Sequence, residues 1–294
     1  MPTDTVLREL LVRHLGTWLP GALGRARRAT LALAYAHGDD GCAEAALGVA
    51  AGHADRLRGR QLTVLVLADG GGELSARLAA AQAWLPAEVT VHLMPGGADR
   101  LPVAVKAAGA AGAPLLSVVD DPAAGAAVLA AAAAGRPADV LLATAAGTAA
   151  RAALADAGFP LTTEAELVPA GGAPARLLAY ATGSDKSLES FKESLWAAAG
   201  AAGVRYRDPV GGLLDAAPAP EAGPLGRELL AELTRSGPRT VTELRRHALT
   251  ETVYRSADAV RALTGLLDAG EVARHPQDGR LGGDVLISAR DAPA

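Results

Sequence analysis

The chain has 294 residues, a formal net charge of −4, and a hydrophobic fraction of 50% against 3% aromatic. That length holds two ordinary domains or one large domain with an appendage, and recurring Leu and Val exclude a disordered chain. The mild acidity gives no overall basic field for a polyanion, and the single cysteine, Cys42, excludes a disulfide framework or a cysteine-built metal site within this chain.

Seventy alanines, and 25 arginines beside three lysines (Lys106, Lys186, Lys192), follow GC-rich codon usage and say little about function. The opening segment MPTDTVLRELLVRHLGTWLP carries acid and base inside its apolar stretch, unlike a signal peptide. Every longer apolar run is broken by Gly, Pro or Asp, so no membrane span is expected and the expected location is cytoplasmic.

In chain order, Val6, Leu7, Leu10, Leu11, His14, Leu15 and Trp18 recur at helical spacing over Thr5–Leu19, which predicts an N-terminal amphipathic helix (1–20) stopped at Pro20. Short apolar strands then alternate with helices. The predicted strands are Thr30–Tyr35, Leu62–Ala68, Val89–Leu93, Pro114–Val119 and Asp139–Ala143; the helices between them include Cys42–Leu57, Glu73–Trp84 and Val103–Ala111. Arg176–Ala181 and Arg205–Arg207 are weaker strands flanking a helix over Ser187–Ala199. Fully apolar strands alternating with helices predict a doubly wound, mainly parallel α/β sheet over 21–208, with any ligand at the carboxyl ends of the strands.

A Pro/Gly/Ala-rich stretch at 209–224 reads as a linker. Beyond it, helices are expected over Leu225–Arg235, from Thr240 to Leu249 with a Thr240/Glu243 capping box, and over Ser256–Ala269. Strands follow at Glu271–His275 and Asp284–Ser288. Three short helices and a hairpin predict a winged helix-turn-helix domain over 225–290.

The loop after the first strand holds His37, Gly38, Asp39 and Asp40, polar groups at a helix start that can meet a ligand. It lacks the G-x-G-x-x-G spacing, which argues against an NAD-dependent oxidoreductase. Asp69 closes the second strand, where an acid accepts from ribose hydroxyls in nucleoside-binding folds; Asp99, after the third, is placed to lie near an adenine. Asp69 is equally readable as an N-cap in a glycine-rich turn, and an acid at the place of Asp99 is more often a helix cap. Asp121, followed by the φ-fixing Pro122, is the candidate catalytic carboxylate. No nucleophilic triad, Walker loop or H-x-x-x-H pair is present. In the C-terminal segment Arg245, Arg246, Arg255, Arg261, Arg274 and Arg280 are candidate phosphate contacts, although ten arginines there face nine acids, a thin footprint for duplex DNA.

The stretch LAYATGSDKSLESFKESLW (Leu178–Trp196) resembles the late strand and helix of the three-Cys-motif partner proteins, TcmP. Leu188, Glu189, Lys192 and Trp196 match a Leu-Glu-x-Met-Lys-x-x-Met-Trp pattern, with Phe191 and Leu195 in the methionine positions. The strand Val204–Asp208, the leading Trp18-Leu19-Pro20, Asp121-Pro122 and the terminal module fit the same order, so the resemblance covers nearly the whole chain. It implies a Rossmann-like domain of the S-adenosylmethionine (SAM) methyltransferase type and a partner resembling radical-SAM proteins and bearing three cysteines. The family carries Asp and Phe-Ala-Gly-x-Gly after the first strand, a Glu after the second, and an aromatic residue after Asp-Pro. Here those places hold Tyr35-Ala36-His37-Gly38-Asp39, Asp69 followed by three glycines, and Ala123-Ala124. Two readings follow: a degenerate methyltransferase-like protein acting in binding or regulation with a partner protein or DNA, or an active SAM-dependent methyltransferase on nucleic acid or protein.

Overall fold

The computed structural model describes residues 2–36, 41–69, 72–170, 172–199, 204–208, 211–215, 217 and 219–290. β1 (Arg28–Tyr35), β2 (Gln61–Leu67), β4 (Leu115–Asp120) and β5 (Ala138–Ala145) are apolar almost throughout and buried on both faces, as parallel strands between helices must be. With β3 (Val89–Met94) they lie in the order β3-β2-β1-β4-β5, every neighbouring pair parallel. The chain then inserts β7 (Arg176–Thr182) antiparallel between β5 and β6 (Leu161–Pro169), and antiparallel β8 (Val204–Arg207) and β9 (Leu213–Asp215) complete the edge. This is a mostly parallel, Rossmann-like sheet of the methyltransferase type. β9 falls inside the stretch that composition marks as a linker.

Alternate strand residues separate two helical layers. Leu31 and Leu33 face α1 (Pro2–Arg25), α2 (Cys42–Gly52), the single turn α3 (Ala54–Leu57) and α4 (Gly72–Gln82). Ala32 and Ala34 face α5 (Leu101–Ala107), α6 (Ala126–Ala132) and α7 (Ala150–Asp156). The small side chains on that second face belong to the core: Ala104, Ala132, Ala150, Ala179 and Ala181 are all buried there.

α1 does not stop at Pro20; it continues to Arg25. A proline inside a helix forfeits a backbone bond at a cost of about 3 kcal/mol. Burial of Leu19, Ala22 and Leu23 offsets it. The helix is seated on a buried carboxylate at the amino edge of the sheet. Asp139 Oδ2 accepts from Trp18 Nε1 (2.8 Å), and its Oδ1 accepts from the hydroxyls of Tyr180 (3.1 Å) and Thr182. Burial raises the Asp139 pKa, while these three hydrogen bonds pull the other way. Tyr180 in turn stacks on Phe191 of α8 (Asp185–Ala199), with ring centroids 4.2 Å apart.

The remaining residues form α9 (Ala222–Ser236), β10 (Arg239–Thr240), α10 (Val241–Glu251), α11 (Ser256–Asp268), β11 (Val272–His275) and β12 (Leu286–Ala289). The three strands pair as β10-β12-β11. Thr240 and Glu243 close the capping box: Thr240 Oγ1 accepts from the Glu243 amide (3.2 Å), and Glu243 Oε2 accepts from the Thr240 amide (2.7 Å). Leu229, Leu244, Val253 and Leu263 join the same continuous core as α1 and α8. The unit therefore shares its interior with the sheet.

Asp139→Ala strands three buried donors and should lower the unfolding free energy by about 3–5 kcal/mol in urea titrations. A loss below about 1 kcal/mol would contradict the seating of α1 on this carboxylate.

Candidate functional site

In an open sheet with order 3-2-1-4-5 the ligand crevice opens at the carboxyl ends of the strands, where the winding reverses between β1 and β4. Three of the expected acids lie on that edge. Asp69 follows β2 and is exposed; Asp99 sits in the turn after β3, also exposed, with a carboxylate oxygen 3.9 Å from Arg100 Nε. Asp121 follows β4 and is half-buried. Its Oδ1 accepts from the Ala123 amide (2.8 Å) and its own amide donates to Ala143 O (3.1 Å), so part of its bonding capacity is spent inside its turn. The loop after β3 reaches the end of β1: a Cβ on Gly97 would lie 3.7 Å from Tyr35 O. His37, Gly38 and Asp39 lie outside the described residues.

The residue that sequence reasoning passed over is Asp120. It shares strand parity with Leu116 and Val118, so it faces the α1 side of the sheet while Asp121 faces the other. Arg176, at the start of β7, donates to Asp120 Oδ1 and, at 2.9 Å, to Asp4 Oδ1 in the first turn of α1. The three side chains are only 22–25% exposed. One guanidinium thus ties two carboxylates together and fastens the start of α1 over the carboxyl edge. The parity of Asp120 was readable in the sequence; its cation was not, because Arg176 lies 56 residues away.

A second polar concentration lies where α8 meets the C-terminal unit. Lys192, fully buried, donates its Nζ to Thr252 O, and Trp196 Nε1 donates to Val253 O (2.9 Å). The Val253 amide donates to Asp208 Oδ2 (3.3 Å), and Arg151 of α7 donates to Thr250 O (2.6 Å). Burial lowers the Lys192 pKa to about 7, opposed by Asp208, with Arg151 adding to the fall and Asp258 and Glu251 opposing it.

Most of the arginines expected to meet phosphate are engaged in this region. Arg245 reaches Glu189 (3.2 Å) and Ser256; Arg246 pairs with Asp185 (2.8 Å at Nε). Arg255 bonds Asp258 (3.0 Å), lies 3.6 Å from Glu193 and places its guanidinium 5.4 Å from the Trp196 ring centroid. Arg261 donates to Asp258 Oδ1 (2.8 Å) and Pro220 O (2.9 Å). Arg274 is folded onto the carbonyls of Pro276 and Gly279, both at 2.9 Å. Arg280 stays exposed without an ion pair to a described residue. The residues of the Leu188–Trp196 pattern do the holding: Leu188 is core, Glu189 takes Arg245, and Lys192 and Trp196 take two consecutive carbonyls.

Among the described residues no group of three or more His, Cys, Asp or Glu is arranged to hold a metal ion, and no helix is long and apolar enough to cross a membrane. No family model matches the chain, and no curated protein matches it. Among solved structures it is similar to a precorrin-6y C5,15-methyltransferase from Geobacter metallireducens GS-15, at 10% identity and a TM-score of 0.32, over 56% of this chain and 85% of that one. The strand order above states the fold independently of that distant likeness.

The buried lysine has a signed pH consequence. Its folded pKa is lowered, so between about 7 and 10.5 the unfolded chain binds the extra proton and the burial penalty fades as pH rises. Relative to Lys192→Met, the native chain should gain on the order of 3 kcal/mol between pH 7 and 9.5 in urea midpoints. A pH-independent difference would contradict this assignment.

Proposed function

We propose that the chain is a methyltransferase-like protein of the three-Cys-motif partner kind that binds a protein partner in the cytoplasm and does not transfer methyl groups. The observation that carries this reading is the state of the carboxyl edge. Asp120 is held by Arg176 together with Asp4, and Asp121 spends Oδ1 on its own turn, so the two carboxylates nearest the switch point already have partners. A general base needs a carboxylate oxygen within reach of the substrate proton, and closing α1 over Asp120 works against that. The residues fit SAM only in part: Asp69 stands exposed where it can accept from ribose hydroxyls, whereas the acceptor side has no free carboxylate at Asp120.

The reading favours a protein partner over DNA, and the three-cysteine radical-SAM-like protein implied by the resemblance is the proposed one. Arg245, Arg246, Arg255 and Arg261 are occupied by Glu189, Asp185, Asp258 and Glu193, and DNA would have to displace these carboxylates to gain phosphates. The C-terminal unit, read as a winged helix, then serves as a rigid extension of the sheet.

A second reading, an active SAM-dependent methyltransferase on nucleic acid or protein, is favoured by the exposed Asp69 beside the switch point. Calorimetric titration with SAM and S-adenosylhomocysteine separates the two. The proposal expects no saturable heat at millimolar ligand; micromolar binding abolished by Asp69→Ala would overturn it in favour of the enzyme.

A further inference from the structure

Between α1 and α8, at the amino edge of the parallel strands, lies a cavity of about 350 Å³. Ligand sites usually span ~300–1,000 Å³. Asp139 in its wall pairs in register with Thr182, four rungs from the level at which Ala143 meets Asp120. The cavity is therefore at the opposite edge from Asp69 and Asp121, separate from the crevice discussed above.

Three features of its lining point to a ligand of definite chemistry. The mouth is cationic: Arg25 and Lys186 line it, both are exposed, and neither makes an ion pair with a described residue. Beside them stand the hydroxyls of Thr17, Ser187 and Ser190, with Thr17 and Ser190 sharing a 2.7 Å hydrogen bond. The one acid in the described wall, Asp139, already accepts from Trp18, Tyr180 and Thr182; Arg25 also acts on it through space but makes no direct ion pair with it.

The third feature is His14, 2% exposed and part of the lining. Tyr180 has a single hydroxyl proton and gives it to Asp139 Oδ1, so its oxygen accepts, and His14 Nε2 at 3.2 Å is the donor. Burial holds the His14 pKa down at about 4, so the ring is neutral near pH 7 with its one proton on Nε2. Nδ1 is then a buried acceptor, and it has no hydrogen-bond partner among the described residues. Buried polar atoms in native proteins are nearly always satisfied, and this orphan belongs to a residue of the cavity lining, although its own surface is almost closed to water.

We propose that this cavity binds a small metabolite carrying an oxyanion, phosphate or carboxylate, at one end and a hydroxyl or amine donor at the other. The oxyanion meets Arg25 and Lys186 at the mouth with Ser187 and Ser190 as neutral donors, and the far donor reaches His14 Nδ1. The walls are α1, whose far end is tied to Asp120, and α8, which holds the C-terminal unit, so an occupant would brace the two helices that join the parts of the fold.

The test uses the full chain labelled with ¹⁵N-histidine, with the His14 resonances among the six histidines identified by their loss in His14→Gln. Two-ended probes are sn-glycerol 3-phosphate and L-lactate; inorganic phosphate and glycerol each supply one end. The expected result is a saturable displacement of the His14 Nδ1 resonance at millimolar concentration of a two-ended probe, with affinity about tenfold weaker in the Arg25→Ala/Lys186→Ala double variant. Both substitutions are on exposed side chains, and an unchanged urea midpoint confirms that the variant is folded. Response to glycerol 3-phosphate assigns a phosphorylated ligand, response to lactate a carboxylate. No displacement by either, equal affinity in the double variant, or an equal response to glycerol alone would overturn the proposal.

Discussion

Lys192 and Trp196 lie one turn apart on α8 and donate to consecutive carbonyls, Thr252 and Val253, at the corner between α10 and α11. Two hydrogen bonds of this kind contribute only about 1–3 kcal/mol each, so they do not by themselves hold two domains together. What they do is fix the register of an apolar junction in which Leu188, Phe191, Leu244, Ala248 and Val253 belong to one core. A lysine in such a place is costly to bury, and once buried it leaves Thr252 O no alternative donor if the corner moves away. The position of the C-terminal unit, the partners of its arginines and the shape of α8's other face all follow from that corner.

The other face of α8 supports α1. Phe191 stacks under Tyr180, Ser190 bonds Thr17, and α1 is secured on two carboxylates that rise from the same face of the sheet, Asp120 through Arg176 and Asp139 through Trp18. A helix fixed at both edges cannot swing clear of the carboxyl edge without breaking the Arg176 bridge. That constraint is what the proposed scaffold role rests on: the sheet is mostly parallel and Rossmann-like, and Asp120 at its carboxyl edge is engaged in holding α1.

The parallel strands and the helices between them were legible because continuous β-branched and leucine runs admit few other placements, and the capping box fixed the start of α10 at Thr240. β6 was not legible: LTTEAELVP offers Ala165 and Leu167, with a partly buried Leu161, to the core on one face. Its two glutamates are met from elsewhere, Glu164 by the amide of Arg151 and Glu166 by Arg207. α7, seven residues long and mostly alanine, carries too little periodicity to register. Pro20 misled as a stop signal because tertiary burial outweighed the local cost. The arginines of the C-terminal unit were visible as charges, but their partners Asp185, Glu189 and Glu193 sit on a helix some 60 residues earlier, a distance no local pattern spans. The alanine excess changed its meaning as well: on the α5–α7 face it lets helices approach the sheet closely, so it is part of the packing and not only a trace of codon usage.

The central claim is that α8 makes the sheet and the C-terminal unit one cooperative body. Native-state hydrogen exchange measures this directly. Core amides of α11, such as that of Leu263, should open with a free energy within about 1 kcal/mol of those in β1 and β4, and Trp196→Phe should lower the α11 values while leaving the β1 and β4 values higher. Exchange of α11 through a low-energy opening that leaves the sheet protected in the native chain, and that Trp196→Phe does not alter, would contradict the account.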